Sequence, residues 1–218
     1  MWTRVAFTAI IAAAAVSPAL AHPHVWVEMR SDVVFDDAGK ISGVNIEWTF
    51  DDAYAQMALD GLDANKDGFY SEPEIAPLTK ENMKSLKDYG YFTVMRLNGN
   101  LLEAGEAKEA GQLYANDKLK LHFHVPLKRP LDPRSGEFIV KVYDPDFFIA
   151  LDYAKDEPVT VIGQMPQGCA MEVKPVPTDE ELEQTREMLS TKGKDWKPEN
   201  NEDFGAMFAQ PVIVSCRS

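Results

Sequence analysis

The stretch His22-Pro-His-Val-Trp-Val-Glu-Met-Arg-Ser-Asp-Val-Val-Phe35 alternates residue by residue. Val25, Val27, Met29, Val33 and Phe35 fall on one side, and His24, Trp26, Glu28, Arg30 and Asp32 on the other. Side chains of a β-strand point to opposite faces in turn, so this is a strand with one buried face. Asp36-Asp-Ala-Gly39 supplies a turn, and Val44, Ile46, Trp48 and Phe50 resume the alternation, which makes the opening a β-hairpin. Further strands are expected at Phe92–Leu97 (with Asn98-Gly99 as a hairpin signal), Leu113–Leu127, Phe138–Tyr143, Phe147–Tyr153, Val159–Ile162, Ala170–Val173 and Val212–Cys216. The pattern predicts an α+β, mainly β chain: an antiparallel sandwich-like domain with a helical insertion at about 51–89 and a C-terminal helix.

That insertion contains Asp63-Ala-Asn-Lys-Asp-Gly-Phe-Tyr-Ser-Glu-Pro-Glu74, which reads as the calcium loop of an EF-hand. Calcium is a hard ion that takes six to eight oxygens, drawn from loop positions one, three, five, seven, nine and twelve. Those positions hold Asp63, Asn65, Asp67, Phe69, Ser71 and Glu74. Phe69 qualifies through its backbone carbonyl, Glu74 is placed to grip with both oxygens, and Gly68 at position six permits the sharp turn. Ser71 and Glu74 also make a capping box that starts the exiting helix. Thr49 is the expected cap of an entering helix running to Leu62, and Pro77 is expected to break the exiting helix, leaving a second piece at Leu78–Tyr89. A second capping box, Thr178 with Glu181, predicts a helix to about Ser190, followed by a polar loop over Thr191–Asp203.

Residues 1–21 carry the marks of a secretory signal: Arg4, an apolar run from Val5 to Val16, and Ala19-Leu20-Ala21 as a cleavage site. No later stretch reaches the eighteen or more apolar residues that a membrane helix needs. Cleavage would remove one Arg and no acid, so the formal charge of −13 becomes −14, which argues against nucleic acid or anionic lipid as partners. The two cysteines, Cys169 and Cys216, are expected to bond to each other in an oxidising compartment, the alternatives being a free redox pair or thiolate metal ligands.

All four histidines occur in H-x-H pairs, His22 with His24 and His122 with His124. In Lys118–Val125 the apolar Leu119, Leu121, Phe123 and Val125 share one face, so the second pair points away from the core with Lys118 and Lys120. On a strand, i and i+2 side chains sit about 6.6 Å apart on one side, close enough for two imidazoles to converge on a transition-metal ion such as zinc, copper or nickel. If the two strands were neighbours, all four rings could form one patch, with Glu28 and Asp144 as conceivable further ligands. Pro23 excludes the square-planar copper motif that needs backbone amides before the third residue, because proline has no N–H to give up. The amine and ring of His22 could still chelate copper as a histidine brace.

His22-Pro-His-Val-Trp-Val-Glu28, Trp48-Thr-Phe-Asp-Asp-Ala-Tyr54, the calcium loop with Glu74-Ile-Ala-Pro-Leu78, Tyr91-Phe-Thr93, Tyr143-Asp-Pro-Asp-Phe-Phe148 and Val212-Ile-Val-Ser-Cys216 follow one another in an order that resembles the family catalogued as domain of unknown function 1007. The resemblance implies a periplasmic component of a metal transport system, partnered by an inner-membrane permease of the nickel/cobalt exporter type, with zinc uptake also implied. It gives a context and not a mechanism. The expected function is therefore a periplasmic metal-binding protein, not an enzyme, stabilised by Ca2+ and handling Zn2+ or another transition metal. The competing readings are a copper histidine-brace oxidoreductase and a calcium-stiffened interaction module whose histidines are incidental. No hydrolytic triad or nucleophile motif appears.

Overall fold

The computed structural model describes residues 24–146, 148–176 and 205–217. The expected signal segment, His22, and the expected helix and loop over 178–203 lie outside these residues. The chain is mainly β, in two sheets. β1 (Val25–Phe35) and β2 (Ile41–Phe50) form the expected antiparallel hairpin, with Val33 opposite Val44 and Met29 opposite Trp48. β5 (Lys108–Ala115) and β6 (Lys118–Leu131) complete one side of the first sheet, and β8 (Ile149–Tyr153) and β9 (Val159–Ile162) the other, in the order β5-β6-β2-β1-β8 with β9 also on β1. β3 (Thr93–Leu97), β4 (Asn100–Leu101), β7 (Phe138–Val142), β10 (Cys169–Val173) and β11 (Val212–Cys216) make the second sheet, ordered β10-β11-β7-β3-β4.

The apolar faces of both sheets fill one core. From the first sheet come Val27, Met29, Val33, Val44, Ile46, Trp48, Leu121, Phe123 and Val125; from the second, Met95, Phe138, Val140, Val212 and Val214. Trp48 sits at its centre, stacked on Phe92 at 6.0 Å and edge-on to Phe123 at 5.5 Å.

Four expectations are corrected. The run Leu113–Leu127 is two strands, because Asn116 and Asp117 both take positive φ (52° and 58°) and turn the chain between β5 and β6. β8 and β9 pair with β1 in parallel, so the first sheet is mixed. Thr49 stays in β2; Asp51 caps α1 (Asp52–Leu59) instead, accepting the Tyr54 N–H at 2.9 Å, and the helix ends before Leu62. Pro77 does not break α2 (Glu72–Asp88), which runs through it. A proline removes one backbone bond from a helix of 17 residues, and the burial of Ile75 and Leu86 on either side holds the helix against the sheet. Ser71 caps α2 with Glu74 as a reciprocal capping box, as expected. A short helix α3 (Gly205–Phe208) precedes β11.

Cys169 and Cys216 are bonded and directly opposite in the β10–β11 register, as expected. Among the described residues no helix is long and apolar enough to cross a membrane.

Tyr153 on β8 turns its hydroxyl to the buried Ser31 at 3.0 Å. Burial pushes its phenol up to about 12, and the Ser31 contact acts weakly the other way. A folded value above the unfolded value of about 10 means that this group's contribution is complete below pH 10 and is lost as pH rises through 12. An ultraviolet titration is expected to show a tyrosine ionising near pH 12, together with falling stability above pH 10, and Tyr153→Phe should remove the first and reduce the second, since burial also raises Tyr54.

Candidate metal-binding loop and histidine cleft

Loop 63–74 joins α1 to α2, and its side chains fold inward onto its own backbone. The two carboxylate oxygens of Asp63 accept from the amides of Asp67 and Gly68 at 3.2 and 3.0 Å. Asn65 Oδ1 takes the Asp67 amide at 2.9 Å and Asp67 Oδ1 the Phe69 amide at 2.8 Å. Glu74 closes the loop end to end, with Oε1 on the Ala64 amide at 3.0 Å and Oε2 on the Ser71 amide and hydroxyl at 2.9 and 2.6 Å. The Ser71 hydroxyl and amide hold the Glu74 carboxyl below its ordinary range. Gly68 takes φ +81°, a left-handed conformation that a side chain would strain. Phe69 is 76% exposed, so nothing but its backbone can serve the loop.

The loop is fastened to the first sheet on three sides. Ala55 and Leu59 of α1 and Ile75 of α2 are buried in the core, and Tyr70 meets Tyr114 of β5 edge-on at 5.3 Å. α2 lies along β5, where Asn82 donates to the buried Gln112 at 3.4 Å. It thus covers the strand at the end of the sheet order.

His122 and His124 project from the outward face of β6 into a cleft of about 370 Å³ shared with Arg30, Asp32, Asn45, Glu47 and Glu109. The register explains the company: His122 faces Glu47 and Gly111, and His124 faces Asn45 and Lys108. His124 Nδ1 lies 2.7 Å from Asn45 Oδ1; Asn45 Nδ2 donates to Asp32 Oδ2 at 3.2 Å; and the Thr160 hydroxyl donates to Asp32 Oδ1 at 2.6 Å. Burial lowers the His124 imidazole below its ordinary value, with the Glu109 charge working the other way. Glu47 is paired with Lys120 at 2.9 Å. None of Asn45, Thr160, Gly43, Gly111 or Glu109 was expected in a site from sequence; Gly43, set inside an alternating strand, is the signal that could have drawn attention to it.

His24, just before β1, and the pair on β6 are not on neighbouring strands, because β2 lies between β1 and β6. Across β2, His122 is level with Arg30, six residues beyond His24 on β1. At about 3.3 Å per residue, His24 is roughly 20 Å from His122 along the strand direction alone, so one ion cannot be held by both. His24 instead sets its ring against Phe148, with centroids 4.8 Å apart. Glu28 lies in the register of Thr49 and Asp152, outside the cleft. Asp144 is buried, and its carboxylate accepts the amides of Asp146, Phe148 and Ile149, all at 3.0 Å. Burial raises its pKa against those bonds. Asp144 thus serves as the knot of a turn. Among the described residues no three His, Cys, Asp or Glu side chains gather as a ready-made metal cage, those of loop 63–74 included.

The profile of the family described as "protein of unknown function (DUF1007)" matches residues 7–216. The chain belongs to this family. An uncharacterised protein of Haemophilus influenzae is 23% identical over 201 residues, covering 90% of this chain and 92% of that protein. An uncharacterised 15.5 kDa protein of Spirochaeta aurantia, from the trpE 3′ region, is 31% identical over 99 residues, 45% of this chain and 70% of that protein.

Proposed function

We propose that the chain is an exported metal-handling protein in which loop 63–74, flanked by α1 and α2, is an EF-hand site for Ca2+ that stiffens the first sheet. The observation that carries the reading is Glu74: across ten residues it bonds the Ala64 amide, so position twelve lies back over position two. The donor chemistry fits. Three carboxylates, one amide oxygen, one hydroxyl and the Phe69 carbonyl are all oxygen, as a hard cation requires. Each oxygen of Asp63 and Asp67 accepts one bond and keeps a further lone pair for an ion, whereas each Glu74 oxygen accepts two and would exchange one of them for the ion.

One loop without a partner hand suits a structural site rather than a switch. Through Tyr70, Asn82 and the buried face of α2, its rigidity passes to β5. Export fits the cross-strand disulfide and the signal-like first 21 residues. The family resemblance extends the reading to a periplasmic role beside an inner-membrane permease of the nickel/cobalt exporter type, with the histidines taking the transported ion.

Thermal melting tests the calcium site. A loop loaded at about one hundred times its dissociation constant adds roughly 2.7 kcal/mol. Millimolar calcium is therefore expected to raise Tm clearly over EDTA, without any new dye-binding apolar surface, and Glu74→Gln should erase most of the rise. Equal melting in calcium and in EDTA defeats the reading.

A further inference from the structure

The cleft on the outward face of the first sheet supports a more specific assignment, which rests on the transition-metal half of the reading above. We propose that it is a two-histidine exchange site for a borderline divalent ion such as Zn2+: His124 anchors the ion through Nε2, His122 adds a second nitrogen, and the other coordination positions stay open to water or to a donor brought by a partner.

The first support is the hydrogen-bond chain behind His124. Asn45 turns its amide nitrogen to Asp32 and donates one hydrogen to Oδ2, while the second Asp32 oxygen takes the Thr160 hydroxyl. This leaves the Asn45 carbonyl oxygen facing His124 Nδ1 at 2.7 Å. A carbonyl oxygen only accepts, so Nδ1 carries the proton, and the neutral ring keeps its lone pair on Nε2. Ligating histidines are commonly oriented by such a partner on the other nitrogen. Here it is built from side chains directly opposite one another on β2, β1 and β9.

The second support is room for the rings. A Cβ at Gly111 would lie 2.6 Å from His122 Cε1, and one at Gly43 would lie 2.8 Å from His124 Cε1. Glycine at 111 thus clears the place of the His122 ring, while at Gly43 a Cβ would meet the Val125 carbonyl oxygen first, at 2.5 Å. The rings lean apart, His122 over β5 and His124 over β2, while sharing one face of β6. His122 is exposed and shows no hydrogen bond from its ring to a described residue, so rotation about its side-chain bonds brings it toward its neighbour.

A third support comes from the charged neighbours of the cleft. Asp32 is committed to Asn45 and Thr160, Glu47 to Lys120, and Arg30 to the carbonyls of Asp156 and Glu157. Glu109 is the remaining carboxylate of the cleft. It sits where the β5–β6 register shifts between Lys108 and Gly111, at φ +54°, so an irregular, left-handed backbone aims it there. A storage or structural zinc site has four protein ligands. Two imidazoles beside one carboxylate hold an ion less completely, which is what delivery to another protein requires.

The test is zinc titration of the calcium-saturated mature chain, followed by calorimetry and by long-range 15N–1H spectra of the imidazoles. Before zinc, His124 is expected to show a protonated Nδ1 and a bare Nε2. Zinc should then move the ring nitrogens of His122 and His124, leaving those of His24 unchanged. His124→Ala should abolish binding, and Asn45→Ala should weaken it about 10- to 100-fold while mixing the His124 tautomers, a signature that simple loss of packing would not produce. A protonated His124 Nε2 overturns the proposal. Full-strength zinc binding in a His122→Ala/His124→Ala variant, with shifts at the N-terminal histidines, overturns this site but leaves transition-metal handling standing. No zinc binding by the wild-type chain overturns both, and the calcium result is independent of either.

Discussion

Replacing Cys169 and Cys216 together by Ala is expected to lower stability by about 4 kcal/mol, as calculated from the loop-closure entropy of the unfolded chain. The residues are 47 apart in sequence, and the bond removes most of the freedom with which that loop would otherwise open. The folded side of the balance points the same way. Among the described residues β10 has one strand neighbour, β11, and its own residues are at best half-buried, so it has little apolar burial to hold it. β11, by contrast, buries Val212 and Val214 and is gripped by β7 as well. Urea unfolding of the oxidised, the reduced and the double-Ala protein measures the difference, and amide exchange should show β10 opening well before β11. A loss below about 1 kcal/mol would mean that β10 is held by something other than the bond, since losing a native disulfide typically costs about 2–5 kcal/mol.

The β1–β2 hairpin and the apolar face of β6 were legible because one buried face forces strict alternation, and Val25–Phe35 and Lys118–Val125 obey it. The disulfide was legible because a chain with two cysteines has one internal pairing. The boundaries at Thr49 and Pro77 were not. Thr49 and Asp51 are both good caps, and only the reach of β2 as far as Phe50, in register with β1, decides between them. At Pro77 the local penalty was legible, but the tertiary burial of Ile75 and Leu86 that outweighs it was not. Which strands are neighbours is likewise absent from any local pattern. Alternation says that His122 and His124 face outward, yet it cannot say that β2 intervenes before β1, or that Asn45, Asp32 and Thr160 line up behind His124.

Trp48→Ala is expected to cost roughly 3–5 kcal/mol, the range for deleting a large aromatic from a core, whereas Trp48→Phe should cost far less. Trp48 is 2% exposed and contacts the rings of Phe50, Phe92 and Phe123, so truncation opens a cavity bounded by three aromatics that cannot all collapse into it. Phenylalanine keeps much of that contact. It also removes the indole Nε1–H, which finds no acceptor among the described residues. A buried unpaired donor costs about 1–3 kcal/mol, which offsets part of the lost volume. Chemical unfolding of the two variants measures both effects, and equal losses would show that the indole N–H has a partner. The pair also separates fold from site. On β2, Val44, Ile46 and Trp48 point into the core, while Asn45 and Glu47 reach the cleft on the opposite face. Trp48→Phe should therefore leave the Asn45–His124 contact and zinc binding as they are. Trp48→Ala, by loosening the strand that carries Asn45, should weaken zinc binding without touching a single group in the cleft.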